Sequence, residues 1–597
     1  MDIQISVAAP ERHVAHTGLL GENIEAYENT IPAMLSDRVR NTKFCGPENH
    51  QTGLAPEWEP GGNNMAGFMA KLVPGMFLSG TESQFVRNLM EGGWCEILQT
   101  GIQLWAGEEV EVELWARALH RPAGMYVHLR PPYGNQTPYA TANLEVTRAH
   151  WSCYRVRMAC PADQANATLA LGVAGGSAVY IDQIHLRPVG ATHVNRSFLD
   201  RMAERPCTSL RFPGGCMSCT YHWRNGIGPV HLRAVHDDPV FKYRMHYDFG
   251  TDEYLELCDA NGIRPYITVN TTSDTADSAA EWAAYVRNWF VSRAKPVPAA
   301  YFMFGNENYS FHEQGHLTPE MYVSQLAEFV PPVRQAYPEA RIIAMGRTDF
   351  IPLHPPYGQL WRAKVLPGAA EHFDLLAVGS YGVMNPAGTL GEGLSTLRMR
   401  VDEFEGIVDA AVADIRASGL DRKVGIYEWN VWSCAAHSDK RGFYEPNDIR
   451  HCCYIAGAMG MLCRHADMVE VANHYSLVNT MGTMQVQGGR AAWTDIARVF
   501  ALYAEALPGT VLDVPLPEGA AKDFTATWLR KGRDTHGILV NWSDRESVIV
   551  HLEGMAIRNA LVLSASGVEQ PVVQGVPAHG DHVVTVPPAS IVRIIGQ

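Results

Sequence analysis

The sequence predicts a (β/α)8 TIM barrel that carries an inserted β-sandwich domain and a C-terminal β-sandwich domain. Three observations predict this α/β architecture. Eight apolar segments typical of buried parallel strands alternate with helical segments, the connection after the first is roughly 180 residues long and rich in short strands, and short strands return after residue 505. An open doubly wound sheet is the alternative, but no Gly-rich phosphate loop follows any of the strands.

The predicted barrel strands are continuous apolar runs of the kind that a parallel sheet buries on both faces. Between them lie segments with apolar residues at helical spacing, such as 251–262 and 321–338. In chain order, the eight strands are predicted at 18–27, 208–215, 264–270, 301–307, 341–346, 373–381, 423–430 and 468–475.

The long connection after the first strand is predicted to be a separate domain. Segments 101–119, 124–131, 151–160 and 167–188 are typical of short strands separated by turn residues, as in an antiparallel sandwich. We therefore expect the barrel at 18–60 and 190–504, the inserted sandwich at 61–189 and the C-terminal sandwich at 505–597.

The composition argues against nucleic acid and membrane partners. The 597 residues are 46% hydrophobic and 19% charged, as in ordinary globular proteins, and nowhere do eighteen apolar residues run together. The formal charge of -15 leaves no surplus of Lys and Arg for nucleic acid or anionic lipid. A neutral substrate fits this charge.

The N-terminus and the cysteines predict a cytoplasmic protein without a metal or other cofactor. The first residues lack the basic start and the apolar stretch of a secretory signal. The twelve cysteines are scattered, which is typical of thiols in a reducing compartment. Cys216 and Cys219 form one CxxC pair, but no second pair and no well-spaced histidines accompany it.

Two glutamates stand at the ends of predicted barrel strands: Glu307 ends the fourth strand and Glu428 lies near the end of the seventh. In such a barrel the C-terminal strand ends form the rim of the active site. Cleavage of a glycosidic bond needs two carboxyl groups across a cavity, one to protonate the leaving oxygen and one to attack the sugar or activate water. The first hypothesis from the residues is therefore a glycoside hydrolase.

Four motifs carry a family resemblance: 210–229, 251–270, FGNENY at 304–309 and YEWNVW at 427–432. In this order they resemble glycoside hydrolase family 51, the retaining α-L-arabinofuranosidases. The resemblance implies that Glu307 is the acid/base and Glu428 the nucleophile of a double displacement, in an exo-acting enzyme on plant-type polysaccharides. It also implies that residues 1–17 add a strand to the C-terminal sandwich, that the insertion is similar to a carbohydrate-binding module, and that the protein forms homo-oligomers.

Further site residues follow partly from the resemblance. Glu25 matches a family glutamate that bonds sugar hydroxyls, Cys216 a position near the sugar, and Tyr381 a tyrosine that bonds the nucleophile. Asn306, beside the acid/base, is a donor suited to the sugar 2-hydroxyl. Trp432 is expected to form an apolar wall against the sugar ring.

Arg211 lies in an apolar run, where an unpaired guanidinium would be costly. We therefore expect it to pair with a carboxylate, either Glu25 or Glu428, and so to support the site.

The sequence also departs from the family pattern. Gly379 stands where a histidine is expected, and Ser476 stands nearest to an expected glutamine. His474 or Gln485 is a candidate to fill part of this gap. A remodelled pocket selects its hydroxyls differently, so a galactofuranosidase or an endo-acting β-glucanase or xylanase stays open as an alternative.

Another alternative is a non-catalytic protein that binds carbohydrate through the inserted sandwich. Such a module needs exposed aromatic side chains on one face, and Trp94, Trp105, Trp115 and Trp151 are candidates. We expect these tryptophans in the core of the sandwich instead, because single tryptophans on apolar strands usually pack inside.

Overall fold

The structure of the protein is a computed structural model. It describes residues 1–26, 30–132, 137–147, 149–239, 244–347, 356–432, 445, 447–565, 572–575 and 581–597. Residue 27, the last of the first predicted strand, lies outside these ranges. No helix in the described ranges is both long and apolar enough to cross a membrane.

Eight parallel strands close into a barrel, which confirms the predicted fold class. Each strand pairs with its neighbours in chain order, and β8 pairs with β1 to close the ring. The strands are β1 Gly21–Asn23, β2 Ser209–Phe212, β3 Arg264–Val269, β4 Tyr301–Phe304, β5 Arg341–Met345, β6 Leu375–Gly382, β7 Lys423–Val431 and β8 Val469–His474.

Eight helices accompany the barrel. Most bury one apolar stripe against the strands, and α7 is buried almost all round because the C-terminal domain covers its other side. The helices are α1 Arg196–Met202, α2 Thr251–Ala260, α3 Ala276–Ser292, α4 Pro319–Ala336, α5 Pro356–Gly368, α6 Leu390–Ser418, α7 Ile449–Arg464 and α8 Asp495–Ala506.

The insertion between β1 and β2 consists of two five-stranded antiparallel sheets around their own core. That core extends upstream to Val39 and Phe44, so the segment before the first sheet strand packs against the sandwich. In spatial order, one sheet contains Ala140–Val146, Ala123–Arg130, Gln164–Ala174, Trp94–Leu104 and Glu59–Gly62. The other contains Ser152–Ala159, Glu109–Ala118, Ala178–Pro188, Glu82–Asn88 and Phe68–Pro74.

The expectation that the four tryptophans lie in the sandwich core is wrong. Trp94, Trp105, Trp115 and Trp151 are all half-buried and none belongs to the buried core. In Glu109–Ala118 the even-numbered residues point inward, so Trp115 faces outward, and its ring stacks on His231 of the barrel at 5.6 Å. Trp105 donates to Gly488 O at 2.8 Å. Two of the four thus dock the insertion onto the barrel.

The C-terminal region is a second pair of sheets, and the N-terminus adds a strand to each. The larger sheet contains, in spatial order, Glu11–Ala15, Gly509–Leu512, Phe524–Lys531, Asp534–Asn541, Ser590–Gly596, Ile557–Ser564 and Val572–Gly575. The smaller contains Asp2–Ser6, Val548–Glu553 and Val583–Val586. The remaining described strands form two short antiparallel pairs, Val235–Asp237 with Arg244–His246 and Met484–Gln487 with Arg490–Trp493.

Candidate active site

Arg211 lies at the centre of a polar cluster at the C-terminal end of the barrel. Its guanidinium, fully buried in β2, donates from Nη1 to Glu428 Oε1 at 2.5 Å, from Nη2 to Asn306 Oδ1 at 2.7 Å and from Nε to Thr268 Oγ1 at 2.9 Å. A buried guanidinium is stable only when such partners satisfy it. Of the two carboxylates considered as its ion-pair partner, Glu428 is the one that it contacts.

Glu428 is bonded on both oxygens. Oε1 accepts from Arg211, and Oε2 accepts from the Tyr381 hydroxyl at 2.8 Å. Two fixed donors hold the carboxylate in one orientation, which is what a nucleophile needs. The Trp432 ring, half-buried at the end of β7, lies edge-on to Tyr381 with the ring centres 5.8 Å apart.

Glu307 follows β4 and faces the same pocket. Its Oε1 accepts from the Tyr427 hydroxyl at 2.6 Å and from the Tyr309 hydroxyl at 3.3 Å. Burial and then the charge of Glu428 raise the pKa of Glu307 to about 7, against the opposing effect of the two hydroxyls. Glu307 is therefore protonated over part of the neutral range, as a general acid must be.

A one-residue bulge explains how two adjacent residues of β7 both reach the pocket. Val378 of β6 pairs with Ile426, but Ser380 pairs with Trp429, so β7 has one extra residue between these pairs. The side chains of a regular strand alternate between its faces, whereas a bulge redirects one of them. Tyr427 and Glu428 can thus both bond pocket residues, while Trp429 packs outward against α6 and α8.

Glu25, which follows β1, is bonded through both of its oxygens. Oε1 accepts from the backbone N–H groups of Gly215 and Met217 at 3.1 and 3.2 Å, and Oε2 accepts from the Tyr475 hydroxyl at 2.6 Å. Burial, followed by the charge of Glu428, raises the pKa of Glu25 to about 7. The pocket thus contains a second carboxyl group that titrates near neutrality.

Asn306 has a fixed amide orientation. Because its Oδ1 accepts from Arg211, its Nδ2 faces Cys216 Sγ at 3.7 Å and Glu313 Oε1 at 3.5 Å. Both contacts are long, so the Nδ2 hydrogens keep donor capacity for a ligand hydroxyl. Glu313 is buried, and this burial with the charge of Glu307 raises its pKa to about 8. Cys219, the other cysteine of the CxxC pair, lies 3.7 Å from Glu313 Oε2.

Neither residue suggested for the gap left by Gly379 and Ser476 fills it, so that expectation is wrong. His474 bonds Glu22 Oε2 at 3.1 Å and packs against Phe500 of α8, on the outer side of the barrel. Gln485 is exposed in the Met484–Gln487 strand. The space beside Gly379 is occupied by the Tyr427 ring, since a Cβ on Gly379 would lie 3.0 Å from Tyr427 Cε1.

Sequence reasoning missed Tyr427, Tyr309, Glu313 and Tyr475. Strand alternation places Tyr427 on the face opposite Glu428, and no sequence pattern reveals the bulge that overrides it. Tyr475 directly follows the last barrel strand, so its place at the rim was a usable signal. Glu313 lies in the loop after β4, where a single sequence indicates little about side-chain position.

Family models and curated relatives match this chain over the barrel and the C-terminal region. The model "Alpha-L-arabinofuranosidase 1 domain" matches residues 201–359, and "Alpha-L-arabinofuranosidase C-terminal domain" matches residues 428–585. An intracellular exo-α-L-arabinofuranosidase of Bacteroides ovatus is 24% identical over 51% of this chain and 62% of its own length. A probable α-L-arabinofuranosidase C of Aspergillus fumigatus is 21% identical over 57% of this chain and 71% of its own length.

Solved structures show the same fold. The arabinose complex of the Thermotoga maritima α-L-arabinofuranosidase has a TM-score of 0.57 at 22% identity and covers 68% of this chain and 90% of its own. An arabinose-bound family 51 α-L-arabinofuranosidase named MgGH51 has a TM-score of 0.72 at 15% identity and covers 100% of both chains. The second likeness extends to the inserted and C-terminal sheets as well as the barrel.

Proposed function

We propose that this chain, which belongs with the family 51 arabinofuranosidase-like glycoside hydrolases, is a retaining, exo-acting α-L-arabinofuranosidase that releases arabinofuranose from plant-type polysaccharides or oligosaccharides. The observation that carries the proposal is the pair of pocket carboxyl groups with opposite environments. Glu428 is bonded to a guanidinium, whereas burial beside that carboxylate favours the proton on Glu307. This asymmetry assigns one group as nucleophile and the other as acid.

In the first step, a Glu428 oxygen attacks the anomeric carbon while the bond from that carbon to the leaving oxygen breaks. Glu307 gives its proton to the leaving oxygen, which departs as an alcohol, and the sugar stays covalently bound to Glu428. Retention requires the two carboxyl groups to lie about 5–5.5 Å apart, too close for a water molecule to intervene.

In the second step, Glu307 acts as a base. It takes a proton from water, the water oxygen attacks the anomeric carbon, and the bond to Glu428 breaks to restore the carboxylate. Arg211 and the Tyr381 hydroxyl keep their bonds to Glu428 available for the negative charge that returns to it.

The remaining pocket residues are proposed to hold the sugar. The Nδ2 group of Asn306, whose contacts with Cys216 and Glu313 are long, donates to the 2-hydroxyl, and Glu25 and Cys216 contact the sugar beside it. Trp432 covers one side of the ring as an apolar wall.

The test is hydrolysis of a panel of p-nitrophenyl glycosides: the α-L-arabinofuranoside, β-D-galactofuranoside, β-D-xyloside and β-D-glucoside. The wild type should cleave the arabinofuranoside, and Glu428→Ala should lower kcat by several orders of magnitude. Glu96→Gln is the matched control, because Glu96 is equally buried but bonds Tyr126 and Arg130 in the inserted sandwich. It should leave kcat unchanged.

Two other results would redirect the proposal. Cleavage of a different glycoside would leave the proposed roles of the two glutamates unchanged but would change the proposed sugar. The arrangement of Gly379 and Tyr427 makes a different sugar a specific alternative. Equal activity of wild type and Glu428→Ala on every substrate would contradict the catalytic assignment.

We also propose that the enzyme acts inside the cell. The relatives of Bacteroides ovatus and Bacillus subtilis are both named intracellular, and the scattered cysteines suit a reducing compartment. Cell fractionation with an antibody against the chain tests this location.

A further inference from the structure

Tyr427 joins the parts of the site that bear Glu428 and Glu307. It directly precedes Glu428 in β7, and its side chain is buried. The Arg211 guanidinium carbon lies 5.4 Å from the centre of its ring, and its hydroxyl lies 2.6 Å from Glu307 Oε1. No other residue of the described pocket contacts Arg211, adjoins the nucleophile and bonds the acid at once.

Gly379 makes this position of the ring possible. A Cβ built on Gly379 would lie 2.6 Å from Glu428 O and 3.0 and 3.1 Å from Tyr427 Cε1 and Cζ. Distances this short force neighbouring atoms to move, and here they are backbone and a rigid ring. The positions of Gly379 and Tyr427 therefore depend on each other. Because Gly379 of β6 has no side chain, there is room for the Tyr427 ring, which the bulge in β7 turns inward.

The hydroxyls around Glu307 contact one of its oxygens. Tyr427 and Tyr309 both lie on Oε1, at 2.6 and 3.3 Å, and the two hydroxyls are 2.9 Å from each other. A hydroxyl that donates to Oε1 leaves that oxygen as an acceptor, so the proton of the neutral acid belongs on Oε2. Burial raises the pKa of the Tyr427 hydroxyl well above its ordinary value, so it remains a donor throughout the working pH range.

We propose that Tyr427 is the positioning residue of the general acid: its hydroxyl keeps Glu307 Oε1 as an acceptor and so holds the transferable proton on Oε2, toward the leaving oxygen. This inference rests on the proposed function, because it assigns a role within the acid-catalysed step. It also gives Gly379 a role, since the absence of a side chain there leaves room for the Tyr427 ring.

The first test is Tyr427→Phe, which removes the hydroxyl and keeps the ring. With a sugar or alkyl leaving group, which needs the proton, kcat/KM should fall about tenfold. With a 2,4-dinitrophenyl leaving group, which departs without a proton, kcat/KM, which excludes the second step, should fall less than about twofold. The basic limb of the kcat/KM profile should move to higher pH, since the lost donor had favoured the Glu307 carboxylate.

Tyr503→Phe is the matched control. Tyr503 of α8 is also a fully buried tyrosine, and its hydroxyl donates to Ala456 O of α7 at 2.7 Å. This variant should lose stability without any change in leaving-group dependence or pH profile.

If Tyr427→Phe lowers kcat/KM equally for all leaving groups and leaves the basic limb of the pH profile in place, the hydroxyl has only a structural role and the inference is overturned. A titration without turnover separates this failure from failure of the proposed function. In protein labelled with 13C at glutamate carboxyl groups, the Glu307 signal, assigned with Glu307→Gln, should titrate at higher pH in Tyr427→Phe. An unchanged titration overturns the inference whichever sugar the enzyme cleaves.

Discussion

At the scale of single residues, we predict that Glu307, the proposed acid, sets the upper pH limit of activity. Its pKa is raised to about 7, and the acid-catalysed step needs its protonated form. The reactive fraction therefore falls as pH rises through 7, and we predict that kcat/KM for an aryl arabinofuranoside declines about tenfold per pH unit above it. The groups that face Glu307 and set this limit are Glu428, Arg211, Glu313, Tyr309 and Tyr427.

A pH series of kcat/KM measures this limit, and Glu307→Gln identifies the group behind it. Glu25 and Glu313 also titrate near neutrality, at about 7 and about 8. With a dinitrophenyl substrate, Glu307→Gln should retain its first step and lose the decline near pH 7. A decline that survives in Glu307→Gln would assign the limit to one of the other two carboxyl groups.

At the scale of elements, the turn after β2 positions two carboxylates at once. Its Gly215 N–H donates to Glu25, and a Cβ on Gly215 would lie 2.6 Å from Glu428 Oε1. We predict that Gly215→Ala displaces the nucleophile and lowers kcat on the order of 100-fold, the cost of a misplacement near 1 Å. Steady-state kinetics with the arabinofuranoside measures this loss.

The control for this substitution is Gly406→Ala in α6. Gly406 is exposed, a Cβ there meets nothing within 4 Å, and its helix favours alanine. This variant should keep full activity and gain about 0.4–1 kcal/mol of stability. Full activity in Gly215→Ala would show that Glu428 moves without cost and that the turn does not constrain it.

The sequence predicts elements better than it predicts irregularities within them. The eight barrel strands could be located because buried parallel strands are continuous apolar runs, and Glu307 and Glu428 could be found because carboxylates ending such runs are costly. The role of Tyr427 could not, since it depends on one extra residue in β7 and on the space beside Gly379. Both are tertiary features that no local pattern encodes.

At the scale of the whole molecule, a buried ion pair joins the segment that packs against the inserted sandwich to the region that follows β2 of the barrel. Lys43, adjacent to the sandwich core residue Phe44, has no exposed surface. Its Nζ donates to Asp248 Oδ1 at 2.5 Å and to Arg233 O at 2.9 Å, both in the region that follows β2. The same region begins with the backbone N–H groups that bind Glu25.

We therefore predict that Lys43→Met destabilises the protein by about 3–5 kcal/mol, because it removes the ammonium group that the buried Asp248 carboxylate contacts. Lys43→Met combined with Asp248→Asn should recover part of this loss, since the Asp248 charge is then removed as well. Urea unfolding followed by tryptophan fluorescence measures the change, with Arg196→Met as control, because Arg196 and Asp200 form an exposed pair worth about 0–1 kcal/mol. A loss for Lys43→Met no larger than that of the control would show that the ion pair does not stabilise this junction, and the contacts of Trp115 with His231 and of Trp105 with Gly488 O would be the next to test.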